Sequence, residues 1–422
     1  MPGSTPRLPA ARWLVVFVFC LPVAVTAADW REFRGSGAQG LAPGAKLPTT
    51  WAADKNVLWK TPLEGKGWSS PVLFEGKLYL TTALAKSEEP TSAQTLRALS
   101  VDAATGKLLW QTDLFEQPEG QKIHSKNSHA SPSPITDGEH LWVHFGTHGT
   151  ACLTLAGEVV WKTTEFKYAP VHGNGGSPVL VDGRLIFSCD GSDTQTVVAV
   201  DAKTGKTVWK TPRSVTPKKG FAFGTPLVIE VGGKTQVVAP GPDAVCAYDP
   251  ADGHEIWKVR YPGGYSVVPR PVFGKGLVFV CTGYDAPRVL AIRPDGTGDI
   301  TETHIAWELK KAAPLNPSPL LVGDELYLIS DNGIATCLDA VSGKQHWQER
   351  IGGNFSSSPV FANGYVYLQN EAGGGIVLKA GTTFEEVSRN ETGERTLASY
   401  AIDEAAGDLF LRTETGLMRI GE

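Results

Sequence analysis

VAVDAKTGKTVW, residues 198–209, is the stretch that decides the architecture. The pattern returns as LSVDAATGKLLW at 99–110, CAYDPADGHEIW at 246–257 and TCLDAVSGKQHW at 336–347. In each copy an aspartate (Asp102, Asp201, Asp249, Asp339) is followed three residues on by Thr, Asp or Ser. Glycine comes four residues on (Gly106, Gly205, Gly253, Gly343) and tryptophan eight on (Trp110, Trp209, Trp257, Trp347). A repeat of this kind outranks local propensity in assigning a fold. An alternating apolar run enters a polar corner and a second run leaves it toward the tryptophan, the pattern of a β-hairpin. The carboxylate is placed to accept from backbone N–H groups two residues on. The glycine supplies the positive φ that a short loop wants, and the indole offers a flat surface to a neighbouring repeat.

Each hairpin has an upstream partner in which a small hydroxyl and a proline open an alternating run. It reads SSPVLFEGKLYL from Ser69, GSPVLVDGRLIF from Gly176, PSPLLVGDELYL from Pro317 and SSPVFANGYVYL from Ser357, with weaker copies from Ser133, Thr225 and Arg270. Proline is tolerated at the first residue of a strand, where no ladder donor is needed. One repeat is therefore four antiparallel strands, a to d, with Ser-Pro opening strand a and the tryptophan in strand d. Val57–Thr61 resembles a d strand without its hairpin, and Ser399–Ile402, Asp408–Thr413 and Gly416–Ile420 resemble a, b and c without a d. The two fragments complete one another, so the amino-terminal strand is expected to close a ring of sheets.

The d-strand positions are Trp59, Trp110, Trp161, Trp209, Trp257, Trp307 and Trp347, with Val387 as a degenerate eighth. The a-strand starts also number eight if Tyr400 stands in for proline. Spacings match the roughly 40–50 residues of a four-stranded blade. The expected fold is all-β: an eight-bladed β-propeller spanning 57–422, with 29–56 an extended lead-in. A seven-bladed ring remains open if the carboxy-terminal strands pack elsewhere. Three repeats depart from the pattern: in the second, Leu153 replaces the aspartate and Ala156 the hydroxyl; the fifth carries an insertion, Arg293–Glu302; the seventh has lost its tryptophan.

Residues 1–28 read as an export signal, with Arg7 and Arg12 ahead of the apolar run Trp13–Val25 and a small-residue cleavage site at Val25-Thr26-Ala27. The apolar run is short for a membrane-spanning helix, so no transmembrane anchor is expected after cleavage. Loss of two arginines takes the formal charge from −5 to −7, which gives no electrostatic footprint for nucleic acid or an anionic membrane. Five cysteines follow the signal: Cys152, Cys189, Cys246, Cys281 and Cys337. None is adjacent to another or at metal-ligand spacing, and they read as small apolar strand residues.

The D-x-x-T-G-x-x-x-W repeat resembles the tryptophan-docking motif of the pyrroloquinoline-quinone (PQQ) repeat family of eight-bladed propellers. That family includes quinoprotein alcohol and sugar dehydrogenases and non-enzymatic BamB-type assembly scaffolds. The resemblance implies the fold from Val57 onward; the motif builds blades and performs no chemistry. The alcohol-oxidising members hold PQQ between a tryptophan and a disulfide of adjacent cysteines, which this chain lacks. It also lacks a C-x-x-C-H cytochrome motif, a P-loop and a G-x-S-x-G elbow.

In an a-b-c-d blade the a–b and c–d turns share one face of the disc, and the b–c loops and d–a crossovers share the other. The long segments, 81–98, 111–130, 162–176, 210–224 and 258–269, all fall on the second face, where binding residues concentrate on a rigid scaffold. The crossovers also deliver to the axis a ring of Ser70, Ser133, Ser177, Thr225, Arg270, Ser318, Ser358 and Ser399. The hydroxyls are expected to bond to neighbouring inner strands. Arg270 is the exception and the leading ligand candidate, because a guanidinium in a narrow channel wants a carboxylate, from a ligand or from Asp285 or Asp243. Trp68, the one tryptophan in a crossover, is placed to stack on a planar ligand or to pack. His124, His129, His172 and Asn174 gather in crossovers and His148 in a b–c loop; they match no metal-ligand spacing. Asp193, Asp243, Asp285, Asp331, Glu371 and Glu414 recur in b–c turns, as turn-formers or as Ca²⁺ ligands. The expected role is a periplasmic or secreted non-catalytic scaffold, requiring no cofactor or metal, that binds protein partners of the cell envelope through the long-loop face. The alternative is a PQQ- and Ca²⁺-dependent dehydrogenase of an alcohol or sugar.

Overall fold

The computed structural model describes Gly3 and residues 29–422; apart from Gly3, the expected export signal lies outside the described residues. Eight sheets, each with four antiparallel strands in a-b-c-d order, stand around an axis. Blades 1 to 7 cover Val72–Gln117, Ile135–Thr163, Val179–Pro212, Leu227–Arg260, Val272–Leu309, Leu320–Arg350 and Val360–Glu391. Blade 8 takes Ala401–Asp403, Asp408–Arg412 and Gly416–Ile420 from the carboxy terminus and its d strand, Val57–Pro62, from the amino end. Val57 pairs with Ile420 and Thr61 with Leu417, antiparallel, so the ring is sealed with eight blades and not seven.

The repeat motif does the work of joining blades. The indole N–H of Trp59, Trp110, Trp161, Trp209, Trp307 and Trp347 each donates to a carbonyl in the c–d turn of the next blade, at 2.9–3.1 Å. The turn glycine lies flat against that indole: a Cβ at Gly106, Gly157, Gly205, Gly253 or Gly343 would come within 2.5–2.7 Å of the ring atoms. Those glycines also hold φ between 70° and 89°, so close approach and conformation both exclude a side chain. Asp102, Asp201 and Asp339 accept from the backbone N–H and the hydroxyl of the residue three ahead, not two, at 2.6–2.8 Å. Only Asp249, followed by proline, accepts from the residue two ahead. In blade 2 the missing aspartate goes with a shorter corner, closed by Thr154 and Glu158.

The two other departures are compensated from elsewhere in the chain. The blade 5 insertion lays Gly298–Asp299 parallel to the outer strand of blade 4, opposite Trp257 and Lys258, and Trp257 turns its N–H to the Gln236 amide oxygen at 2.8 Å. In blade 7 the register Tyr367–Val377–Ser388 puts Ser388, rather than Val387, at the tryptophan position. Trp51 of the lead-in fills the gap. It is buried, stacked on Tyr367 with centroids 6.4 Å apart, and its backbone N–H donates to the Asn390 side-chain oxygen at 2.9 Å. The equivalent b-strand tyrosines of blades 1 and 6, Tyr79 and Tyr327, face their own Trp110 and Trp347 at 6.2 and 6.1 Å.

Residues 29–56 cross the face that carries the a–b turns. Trp30 bridges to Leu73 of blade 1, the Arg31 carbonyl accepts from Thr136 of blade 2, and Leu41–Ala42 pair in parallel with Phe361–Ala362 of blade 7. The segment therefore closes one end of the axial channel.

Candidate functional site

Each blade contributes to the axis the residue that precedes its first inner strand. Seven of the eight are the expected hydroxyls, and they form a nearly continuous belt. The backbone N–H of Ser70, Ser133, Ser177, Arg270, Ser318, Ser358 and Ser399 donates to the hydroxyl oxygen of the next blade's residue at 2.8–3.0 Å. The belt is broken only ahead of Thr225, where Arg270 takes the place of a hydroxyl.

Above the belt, on the long-loop face, opens a cavity of about 230 Å³. Phe33 of the lead-in is its floor; Trp68, Phe223, Tyr265, Tyr284 and Leu397 give apolar wall, and His124, Lys126, Asn127, His172 and Asn316 give polar wall. With one end closed by the lead-in, the cavity is a blind cup entered from the long-loop side.

The candidates are dispersed relative to this cup. Trp68 and His172 line it. The Arg395 guanidinium lies 5.3 Å from the Trp68 ring centroid. His172 meets His124 edge to face at 5.4 Å, and burial, then His124, lowers its pKa. Asn174 is buried behind the wall, its side-chain oxygen accepting from the Tyr168 hydroxyl at 3.0 Å. His129 is buried away from the cup and its pKa is lowered by that burial. Asp285 lies outside, its side chain 57% exposed and bonded to Lys219 and the Tyr265 hydroxyl.

Arg270 points down rather than up. It is 1% exposed and its fork is taken by the chain itself: Nε donates to the Pro226 carbonyl at 2.9 Å, Nη1 to the Phe33 carbonyl at 2.6 Å, and Nη2 to Glu32 at 2.8 Å. A carboxylate was indeed needed, and Glu32 supplies it in place of Asp285 or Asp243. Beside it lies Arg34, also buried, donating to the carbonyls of Pro319, Gln39 and Pro359. Burial and then the Arg270 charge lower Arg34 to about 9.

The b–c acids tie loops to blades. Asp193 accepts from the Ala169 N–H, Asp243 from the Gly263 N–H, and Asp331 from the Leu315 N–H, at 2.7–2.8 Å. Glu371 takes Lys126 and the Ser356 hydroxyl, and Glu414 pairs with Arg395. Among the described residues no group of three or more His, Cys, Asp or Glu is placed to hold a metal ion. No Asp or Glu lines the cup, so its wall offers no carboxylate to a calcium ion, which binds hard anionic oxygen. A calcium ion there would have to take Asp331 from Asn316 or Glu371 from Lys126 and Ser356, the carboxylates one layer behind the lining. The five described cysteines are free and buried, and burial raises Cys152, Cys189, Cys246 and Cys337 to about 12, which keeps them protonated and inert.

Sequence reasoning missed Phe33, Lys126, Tyr265, Tyr284 and Asn316. The last four sit in long-loop-face segments with no periodic mark; Phe33 lies in a segment whose course over the disc has no local signature.

An eight-bladed propeller of tryptophan-docking repeats, with a blind axial cup, is the class that the fold and site define. The PQQ-repeat family model described as outer membrane protein assembly factor BamB matches residues 42–193, 193–314 and 299–410, and the chain belongs to that family. Among curated proteins it is similar to the quinohemoprotein alcohol dehydrogenase ADH IIB of Pseudomonas putida, 26% identical over 242 residues. That match takes in 55% of this chain and 30% of the dehydrogenase, so the chain spans under a third of that relative's length. Among solved structures, BamB from Moraxella catarrhalis superposes with a TM-score of 0.60 at 14% identity, covering 86% of this chain and 96% of the other. The quinohemoprotein alcohol dehydrogenase from Comamonas testosteroni gives 0.65 at 13% identity, covering 93% and 80%. Both likenesses are of fold.

Proposed function

We propose that this chain is a non-catalytic binding scaffold of the bacterial cell envelope, exported to the periplasm or beyond, that engages protein partners through its long-loop face. The observation that carries this reading is the cup. It opens on that face, its described lining combines aromatic rings and hydroxyls with His124, His172, Lys126, Asn127 and Asn316 and holds no Asp or Glu, and the guanidinium nearest the axis is already bound to Glu32. Long segments around a rigid rim suit recognition, and among the described residues no serine hydroxyl of the cup is hydrogen-bonded to His124 or His172 as a nucleophile would be to its base. A photo-crosslinking residue placed at Lys126 or at Tyr265, on the long-loop face, is expected to trap a discrete partner in intact cells. The same residue at Lys203, in a motif turn on the opposite face, is expected to trap none. Equal capture from both faces contradicts the proposal.

The second reading, a PQQ- and Ca²⁺-dependent dehydrogenase of an alcohol or sugar, is supported by the activities in the names of curated relatives and by the flat rings of Trp68, Tyr265 and Tyr284 in the wall. It requires calcium ligands that the cup wall does not provide.

A further inference from the structure

The hydroxyl belt does more than join blades. In every link the hydroxyl is the acceptor, so its own proton must go elsewhere. Ser358 donates to Ser318 at 3.0 Å. The hydroxyls of Ser70, Ser133, Ser177, Thr225, Ser318 and Ser399 have no acceptor among the described residues, although all six are at most 4% exposed and line the cup. Six inward donors around one axis, with no carboxylate in the wall to receive them, form an acceptor-seeking ring.

The charge beneath the ring has the matching sign. Arg34 donates to the carbonyls of Pro319 and Pro359, one residue past Ser318 and Ser358, and Arg270 to that of Pro226, one residue past Thr225. Two guanidinium groups thus sit just under the belt, and among the described residues Glu32 is the one carboxylate paired with either. The layer beneath the Phe33 floor carries one positive charge in excess, in a buried setting where screening by salt is weak. Lys126 at the wall is paired with Glu371 at 2.7 Å and adds an ammonium donor but no net charge.

We propose that the base of the cup is an oxyanion site: it takes the phosphate or carboxylate group of a small ligand, held by the inward hydroxyls of the belt. This rests on the cup being the binding centre of the long-loop face, but not on the identity of any protein partner. Hydroxyl donors converging on an anion are charge-assisted and short.

The test is calorimetric titration of the mature chain at low ionic strength with inorganic phosphate, citrate and, as a neutral polyol, glucose. Phosphate or citrate is expected to bind at one site, at least tenfold more tightly than glucose, and to weaken as salt is raised; the two anions separate a phosphate site from a carboxylate site. Lys126→Gln, at a partly exposed residue, leaves Glu371 unpaired at the wall and is expected to weaken the anion several-fold with folding unchanged, whereas Glu371→Gln, which frees the Lys126 ammonium, is expected to tighten it. Ser133→Ala and Ser318→Ala are expected to weaken it too, with circular dichroism reporting whether each is folded. Equal binding of glucose, or no binding of either anion by the folded wild-type chain, overturns the proposal. A crosslinked partner without anion binding removes the oxyanion site and leaves the scaffold; anion binding without a partner does the reverse.

Discussion

Asp190 and Arg213 show what a single residue carries in the interior of this ring. Both side chains are fully buried, and the guanidinium makes a bidentate pair with the carboxylate at 2.8 Å and further bonds to the carbonyls of Ala239 and Pro240. Removing one partner strands the other charge, so Asp190→Ala should lower stability by about 3–5 kcal/mol, read as a shift in the urea midpoint. Asp190→Leu combined with Arg213→Met should recover most of that loss. His144 makes a different prediction. It is buried against Phe187 with Nδ1 on the Thr150 hydroxyl, and burial lowers its pKa to about 3. An unfolded histidine titrates near 6.5, so between about 6.5 and about 3 the unfolded chain holds a proton that the folded chain does not. Stability from this residue is full above pH 6.5 and falls as pH drops through that window, by about 1.4 kcal/mol per pH unit. Denaturation curves at pH 7, 6, 5 and 4 should therefore flatten in His144→Gln; an unchanged slope would show that the proton is taken up elsewhere.

At the scale of the element, the docking tryptophan explains both the rule and its exception. Asp, Gly and Trp were readable because the turn is local and its demands, a positive φ and an indole pressed on the glycine, leave marks within a dozen residues. The missing tryptophan of the seventh repeat, assigned from sequence to Val387 and found at Ser388, was readable as a defect but not as a repaired one. The repair, Trp51, lies far away in sequence, and neither its stacking on Tyr367 nor its bond to Asn390 has a periodic signature. Trp51→Ala should accordingly behave as a core truncation and cost about 3–5 kcal/mol, measured by thermal or urea unfolding. A loss below about 1 kcal/mol would mean that blade 7 does not depend on the lead-in.

For the whole molecule, the ring was legible because two incomplete fragments at opposite ends of the chain complement each other, and Trp59 does pair beside Arg419. The site was only half legible. The belt of hydroxyls follows from the repeat, so it could be placed from sequence. The floor could not, because Glu32, Phe33 and Arg34 reach across more than two hundred residues to Arg270, Pro319 and Pro359. That long-range contact turns Arg270 from an open ligand anchor into a fixed part of the floor, and a through-channel into a blind cup.

The most direct measurement is titration of the mature chain with PQQ in the presence of Ca²⁺, followed by absorbance and melting temperature, with an alcohol or sugar and an artificial electron acceptor then added. The binding-scaffold account predicts no calcium-dependent change in the PQQ spectrum, no calcium-dependent rise in melting temperature and no reduction of the acceptor. Saturable, calcium-dependent PQQ binding accompanied by acceptor reduction would contradict it.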